Sequence, residues 1–212
     1  MKGAETFTLR DLELMARTEQ EKISLGRMML HLNADRYEAF VKLVDRAIVF
    51  VVGEITSDPS SKQDMDEDEL TEFLRLGLKS MGFNASHDTK TGGHCDIVIE
   101  EHGNLKWLGE AKKIDETNSN WLFQGYLQLT TRYTNGRLDQ AFGGMIIYSY
   151  IENTVKMMAT WQKYLLEKQP SSSLHEINAS GTVFTTKDII ASSGTDYFVK
   201  HIPVQLYFKP LH

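Results

Sequence analysis

The sequence predicts a mixed α/β protein, a mixed sheet flanked by helices, with core order α-β-β-β-α-β behind an N-terminal helical extension. Three observations lead there. Apolar residues recur at helical spacing from 8 to 56, short β-type runs replace them from about residue 85, and helical spacing returns at 120–133 and 153–168. Composition supports a packed core: of 212 residues, 41% are hydrophobic and 25% charged, which excludes disordered and collagen-like chains.

The elements follow in order. Leu9, Leu12, Met15, Ile23, Leu25, Met28 and Leu32 mark a first helical stretch, and Tyr37, Phe40, Val41, Val44 and Ile48 a second, with Asn33 as the expected cap between them. Met28-Met29 is expected in the core or at a contact between two copies. Residues 57 to 69 read as a linker ending at a helix start, so the chain divides into an N-terminal helical region, 1–58, and a main region, 59–212, extended from about 151. A helix over 67–81 carries Leu70, Phe73, Leu74 and Leu78 on one side and stops at Gly82. Strands are expected at 85–89, 95–100 and 106–112, with His102-Gly103-Asn104 as the turn between the last two. Residues 143–150 form a buried-type strand, and 183–186 and 204–208 have strand character.

Several classes are excluded. The longest apolar run, residues 47–52, is far short of the roughly 20 residues a bilayer needs. The first fifteen residues carry charges where a signal peptide needs its apolar stretch, and a lone cysteine makes no intrachain disulfide. A reducing cytoplasm is therefore expected. A net charge of −6 rules out a surface that is basic everywhere, although a local basic groove remains compatible with it.

Residues 92–113, GGHCDIVIEEHGNLKWLGEAKK, carry the chemistry. Alternation along a strand places Asp96 with Val98 and Glu100, and Glu110 with Leu108 and Lys112. A hairpin then brings Asp96 to the pair Glu110/Lys112 at one end of the sheet. Adjacent carboxylates repel unless positive charge lies between them, and oxygen-rich sites suit Mg²⁺ or Mn²⁺. A lysine two residues past the glutamate could orient an attacking water or neutralise charge on a phosphate.

Asp96, the hairpin and Glu110-Ala111-Lys112 together resemble the PD-(D/E)xK nuclease superfamily, the restriction-endonuclease-like fold, over about residues 62–150. Cys95 stands where that family's motif has proline. The resemblance implies a Mg²⁺- or Mn²⁺-dependent endonuclease acting on DNA, with Glu67, Asp96, Glu110 and Ala111 at the metal and Lys112 assisting water. It also implies a setting in restriction, repair or anti-phage defence. Glu67, in register with Leu70 and Leu74, is the favoured acid on the preceding helix; Glu69 competes with it, although Asp66-x-x-Glu69 has the form of a capping box. Gln124, Gln128 and Arg132 align on the following helix, and Gln128 is favoured as the glutamine that the family often places near the scissile phosphate.

Other residues carry weaker readings. Lys90, Lys106, Lys113, Arg132 and Arg137 are candidates for a nucleic-acid backbone; Trp107, Trp121 and Tyr126 could stack on bases, but each is expected in the core. His87, His94 and His102 match no zinc spacing, and Cys95 reads as packing on the face opposite Asp96. Two alternatives stay open: the same site acting on RNA, and a non-catalytic nuclease-fold subunit acting through protein contacts. The N-terminal helices would serve a homodimer or higher oligomer.

Overall fold

The computed structural model describes residues 8–88, 95–102, 104–133 and 136–210. Helices α1 (Leu9–Met15) and α2 (Glu19–Met28) each open with a capping box, from Thr8 to Asp11 and from Thr18 to Glu21. Helix α3 (Arg36–Thr56) is capped by Asp35, whose carboxylate accepts from the Glu38 N–H at 3.3 Å, and not by the expected Asn33. Asn33 ends a short 3₁₀ turn and spends its amide on the Leu30 carbonyl. Helix α4 (Glu67–Ser80) starts at the Asp66/Glu69 capping box.

Three strands follow, β1 (Asn84–Asp88), β2 (Cys95–Glu101) and β3 (Leu105–Ile114). Asn104, at φ 66°, takes the left-handed conformation that the β2–β3 turn requires. After α5 (Ser119–Gln128) come β4 (Phe142–Ser149), α6 (Thr154–Lys168), β5 (Ser173–Ile177), β6 (Phe184–Ile189) and β7 (Asp196–Gln205). The helix expected to reach 133 is α-helical only to Gln128 and finishes in a π turn, Leu129–Tyr133.

The seven strands form one sheet in the order β1-β2-β3-β4-β7-β6-β5. Pairs β3–β4 and β4–β7 are parallel, which requires long crossovers, and α5 and α6 lie in them. The remaining pairs are antiparallel.

Each face of the sheet is covered, which explains the nearly unbroken apolar runs of β3 and β4. On one face Phe40, Val44 and Ile48 of α3 and Leu70, Leu74 and Leu78 of α4 pack on Ile97, Ile99, Trp107 and Ile146. On the other, Leu122 and Tyr126 of α5 and Met158, Trp161 and Leu165 of α6 pack on Val98, Leu108, Met145 and Val199. The core therefore runs continuously from the N-terminal region into the sheet. Met28 is not part of it, at 66% exposure.

The C-terminal strands depart most from expectation. All five residues of β5 are exposed, so it lacks the apolar signal of a buried strand. Strand β7 ends at Gln205, not 208, and contains Pro203. Proline is tolerated there because the last β6 pair is Phe184↔His201, which leaves Pro203 with a neighbour on one side only. Among the described residues, no helix is long and apolar enough to cross a membrane.

Candidate active site

The site begins with an irregularity in β2. Between the pairs Ser86↔Val98 and Asp88↔Cys95, β1 advances two residues while β2 advances three. The extra residue is a bulge at Asp96-Ile97, a device that re-aims side chains. It puts Cys95 on the same face as Val98, against the alternation expected from sequence. It also turns the Asp96 carboxylate onto β3, where it accepts the Ala111 N–H at 2.8 Å. The Cys95 thiol packs there, where burial pushes it up to about 12.

Glu110 and Lys112 project from β3 beneath α5. Glu110 is 1% exposed and Lys112 6%. The ammonium lies 2.8 Å from Glu110 Oε1, 3.3 Å from Glu67 Oε1 and 2.8 Å from the Ala111 carbonyl. Glu67, on the first turn of α4, also accepts the Lys113 N–H at 2.6 Å. The structure thus gathers Glu67, Asp96, Glu110 and Lys112 from three elements. Glu69 stays in its capping box.

The charge balance is uneven. Burial, then the Asp96 charge, pushes Glu110 up to about 7 despite Lys112. Burial likewise raises Glu67, with Lys112 and the Lys113 N–H opposing. For Lys112, burial alone would lower the pKa; Glu110, followed by Glu67 and Asp96, outweighs it and raises it. The second Glu110 oxygen is buried with no hydrogen-bond partner. A carboxylate left in that state is costly unless a proton or cation meets it.

That orphan oxygen is the test of metal fit. Three carboxylates and a backbone carbonyl are the hard oxygen donors that Mg²⁺ and Mn²⁺ favour, and Ala111, with only a methyl side chain, could contribute through its carbonyl alone. Among the described residues, no three acids already stand as a cage for a metal ion, because Lys112 lies between Glu67 and Glu110. The donors fit in kind, and a cation would compete with the ammonium for them.

Helix α5 closes the site. A Cβ on Gly125 would lie 3.0 Å from Lys112 Cε and 3.2 Å from Glu110 Cγ, so any larger residue here would press on both side chains. One turn earlier Trp121 lies over Lys112, its ring centre 5.2 Å from the ammonium. Trp121 is 44% exposed, not in the core as expected; Trp107 and Tyr126 are buried as expected. Gln128 follows on the same helical side as Trp121 and Gly125, half-buried, and none of the described hydrogen bonds joins it to the acids.

The basic candidates are dispersed. Lys113 donates to the Met65 carbonyl and lies over Tyr150, Lys106 pairs with Glu100, Arg137 with Asp139, and Arg132 is exposed. Lys90 and His94 lie outside the described residues. Sequence reasoning missed Gly125 and the placement of Trp121; the signal was Asn118, whose side chain caps the Trp121 N–H and fixes that residue on the helix's first turn. No family model, curated protein or solved structure matches this chain.

Proposed function

We propose that the chain is a metal-dependent nuclease of the restriction-endonuclease-like kind, hydrolysing phosphodiester bonds in DNA in a reducing cytoplasm. One observation carries the reading: a buried glutamate with an unpartnered oxygen, next to two further acids and a lysine, at the end of the sheet. Acids grouped in this way, shifted by burial and by specific charge partners, are the arrangement that functional sites use. Glu67, Asp96, Glu110 and the Ala111 carbonyl would hold Mg²⁺ or Mn²⁺. Such a cation, when bound, supplies Lewis-acid charge at a phosphate and lowers the pKa of water. Lys112, its pKa raised, keeps its proton at neutral pH; it therefore acts as a donor and a positive charge, orienting water or a phosphate oxygen, and not as a base. Gln128 and Arg132 lie further along the α5 side as phosphate contacts.

Incubating plasmid with the protein in Mg²⁺, Mn²⁺ or EDTA tests this. Cleavage is expected with metal only, and Asp96→Ala and Lys112→Ala should each reduce it about a hundredfold or more. Metal-dependent cleavage that persists in either variant would refute the residue assignment. Duplex DNA, single-stranded DNA and RNA compared side by side decide the substrate.

A second reading, a non-catalytic subunit or an oligomer joined through the N-terminal helices, draws on Leu14, Met15 and Met28, exposed by 73%, 61% and 66%. Calorimetry showing no Mn²⁺ binding at millimolar metal would favour it.

A further inference from the structure

Trp121 is a large apolar side chain left at the mouth of a charged site. Its indole turns toward the Lys112 ammonium, yet 44% of the residue stays in water. Its place is fixed from both ends of the turn: Asn118 caps its N–H at 3.0 Å, and Gly125 lets α5 rest on the stems of Glu110 and Lys112. An exposed aromatic ring on an anchored backbone, beside a polar site, is a surface on which a flat group can lie.

The charges around it decide which flat group. The first turn of α4 brings Asp66, Asp68 and Glu69 to this end of the sheet, all exposed, and the β3–α5 connection adds Asp115 and Glu116. Lys113, next to Lys112 on β3, is held by the Met65 carbonyl and Tyr150. A duplex, with twice the phosphate charge of a single strand per unit length, is repelled most by such a rim. Its bases are also already stacked on one another and cannot reach the indole. A single strand halves the first penalty and escapes the second, because every base has a face free to stack.

We propose that Trp121 is a base-stacking platform and that this site takes single-stranded or unpaired nucleic acid. The inference deepens the phosphodiesterase reading and rests on it for the reaction, while binding can be measured separately. DNA and RNA strands share the chemistry of a stacked base, so oligothymidylate and oligouridylate are both assayed.

The experiment is anisotropy of labelled strands of about a dozen nucleotides, a length that spans a small binding site. It is run in EDTA, with the matching duplex as comparison and the full chain as protein. Single strands should bind more tightly than the duplex. Trp121→Ala should weaken single-strand binding about tenfold, and Trp121→Phe, which keeps a ring, should restore most of it. Near-UV circular dichroism from the buried Trp107 and Trp161 checks folding in both variants.

Equal affinity in Trp121→Ala and wild type, or a duplex bound as tightly as a single strand, would overturn the platform. Metal-dependent cleavage of the single strand that the alanine variant leaves unchanged would overturn it as well, with the hydrolytic reading intact. Trp121-dependent strand binding without cleavage in any metal would uphold the platform and remove the hydrolytic reading.

Discussion

Two buried polar clusters touch helix α5, and they handle burial differently. Behind the helix, Asp188 accepts from Ser172 at 2.5 Å and from the Tyr126 hydroxyl. Next to it, His201 Nδ1 accepts from the Trp161 indole at 3.1 Å; since an indole only donates, Nε2 carries the imidazole proton and donates to Thr186 at 3.1 Å. Burial pushes Asp188 up to about 6 and His201 down to about 3, so each group moves toward its neutral form. In front of the helix, Glu67, Asp96 and Glu110 surround a single lysine, and one Glu110 oxygen has no partner. The rear cluster is closed by its own hydrogen bonds and specifies packing, whereas the front cluster keeps one buried oxygen unpartnered.

The largest expected effect breaks the front cluster. Glu110→Gln keeps the shape and removes the charge; metal-dependent cleavage should fall by about a hundredfold or more. In EDTA at pH 8 the same variant should melt higher than wild type, because a buried carboxylate that Lys112 compensates at one oxygen only has been removed. Thermal melts with and without Mn²⁺ check both halves.

Tyr126→Phe should do the reverse. Asp188 loses one of its two hydroxyl donors, and stability should drop by about 1–3 kcal/mol in urea unfolding. Cleavage well below the melting temperature should hardly change. A large loss of activity with no loss of stability would erase the contrast between the two clusters.

Gly125→Ala tests the seam between them. The new methyl meets Lys112 Cε at 3.0 Å and Glu110 Cγ at 3.2 Å, so either α5 or the two side chains must shift. Overpacking of this kind costs about 1–3 kcal/mol. Cleavage should fall about tenfold through misplacement of Lys112.

The front cluster was more legible in the sequence than the rear one. Glu110, Lys112 and Glu67 follow from periodicity, since strand alternation and the i, i+3, i+7 spacing of Glu67, Leu70 and Leu74 each name a face. The capping box at Asp66 and Glu69 also separates the two candidate acids before any coordinates. The bulge at Asp96-Ile97 was not legible, because it exists only in pairing with β1. The rear cluster joins residues as distant as Tyr126 and Asp188, and nothing local in a threonine, serine or histidine marks such a partner. Strand β5 is exposed throughout, with Leu174 and Ile177 out of the core, so its pairing with β6 and not burial makes it a strand.

Acidity gives the finest test. Glu110 titrates near 7 in the fold against about 4.5 unfolded, so between those values the folded chain binds the extra proton. Metal-free stability should therefore fall as pH rises from about 4.5 to 7 and level off above. Asp188 and His201 also titrate in this range with opposite signs: the raised Asp188 favours the fold at low pH, and the depressed His201 disfavours it there. Both are present in wild type and in Glu110→Gln, so subtracting the two pH curves cancels them and leaves Glu110 with its coupled neighbours Glu67 and Lys112. Metal binding requires the deprotonated carboxylate, so in saturating Mn²⁺ the gain in melting temperature should shrink as pH falls below 7, reversing the sign of the difference curve. A structural cluster would give the same difference curve with and without Mn²⁺. That sign separates a site built to receive a cation from a buried ion pair that merely tolerates its own charge.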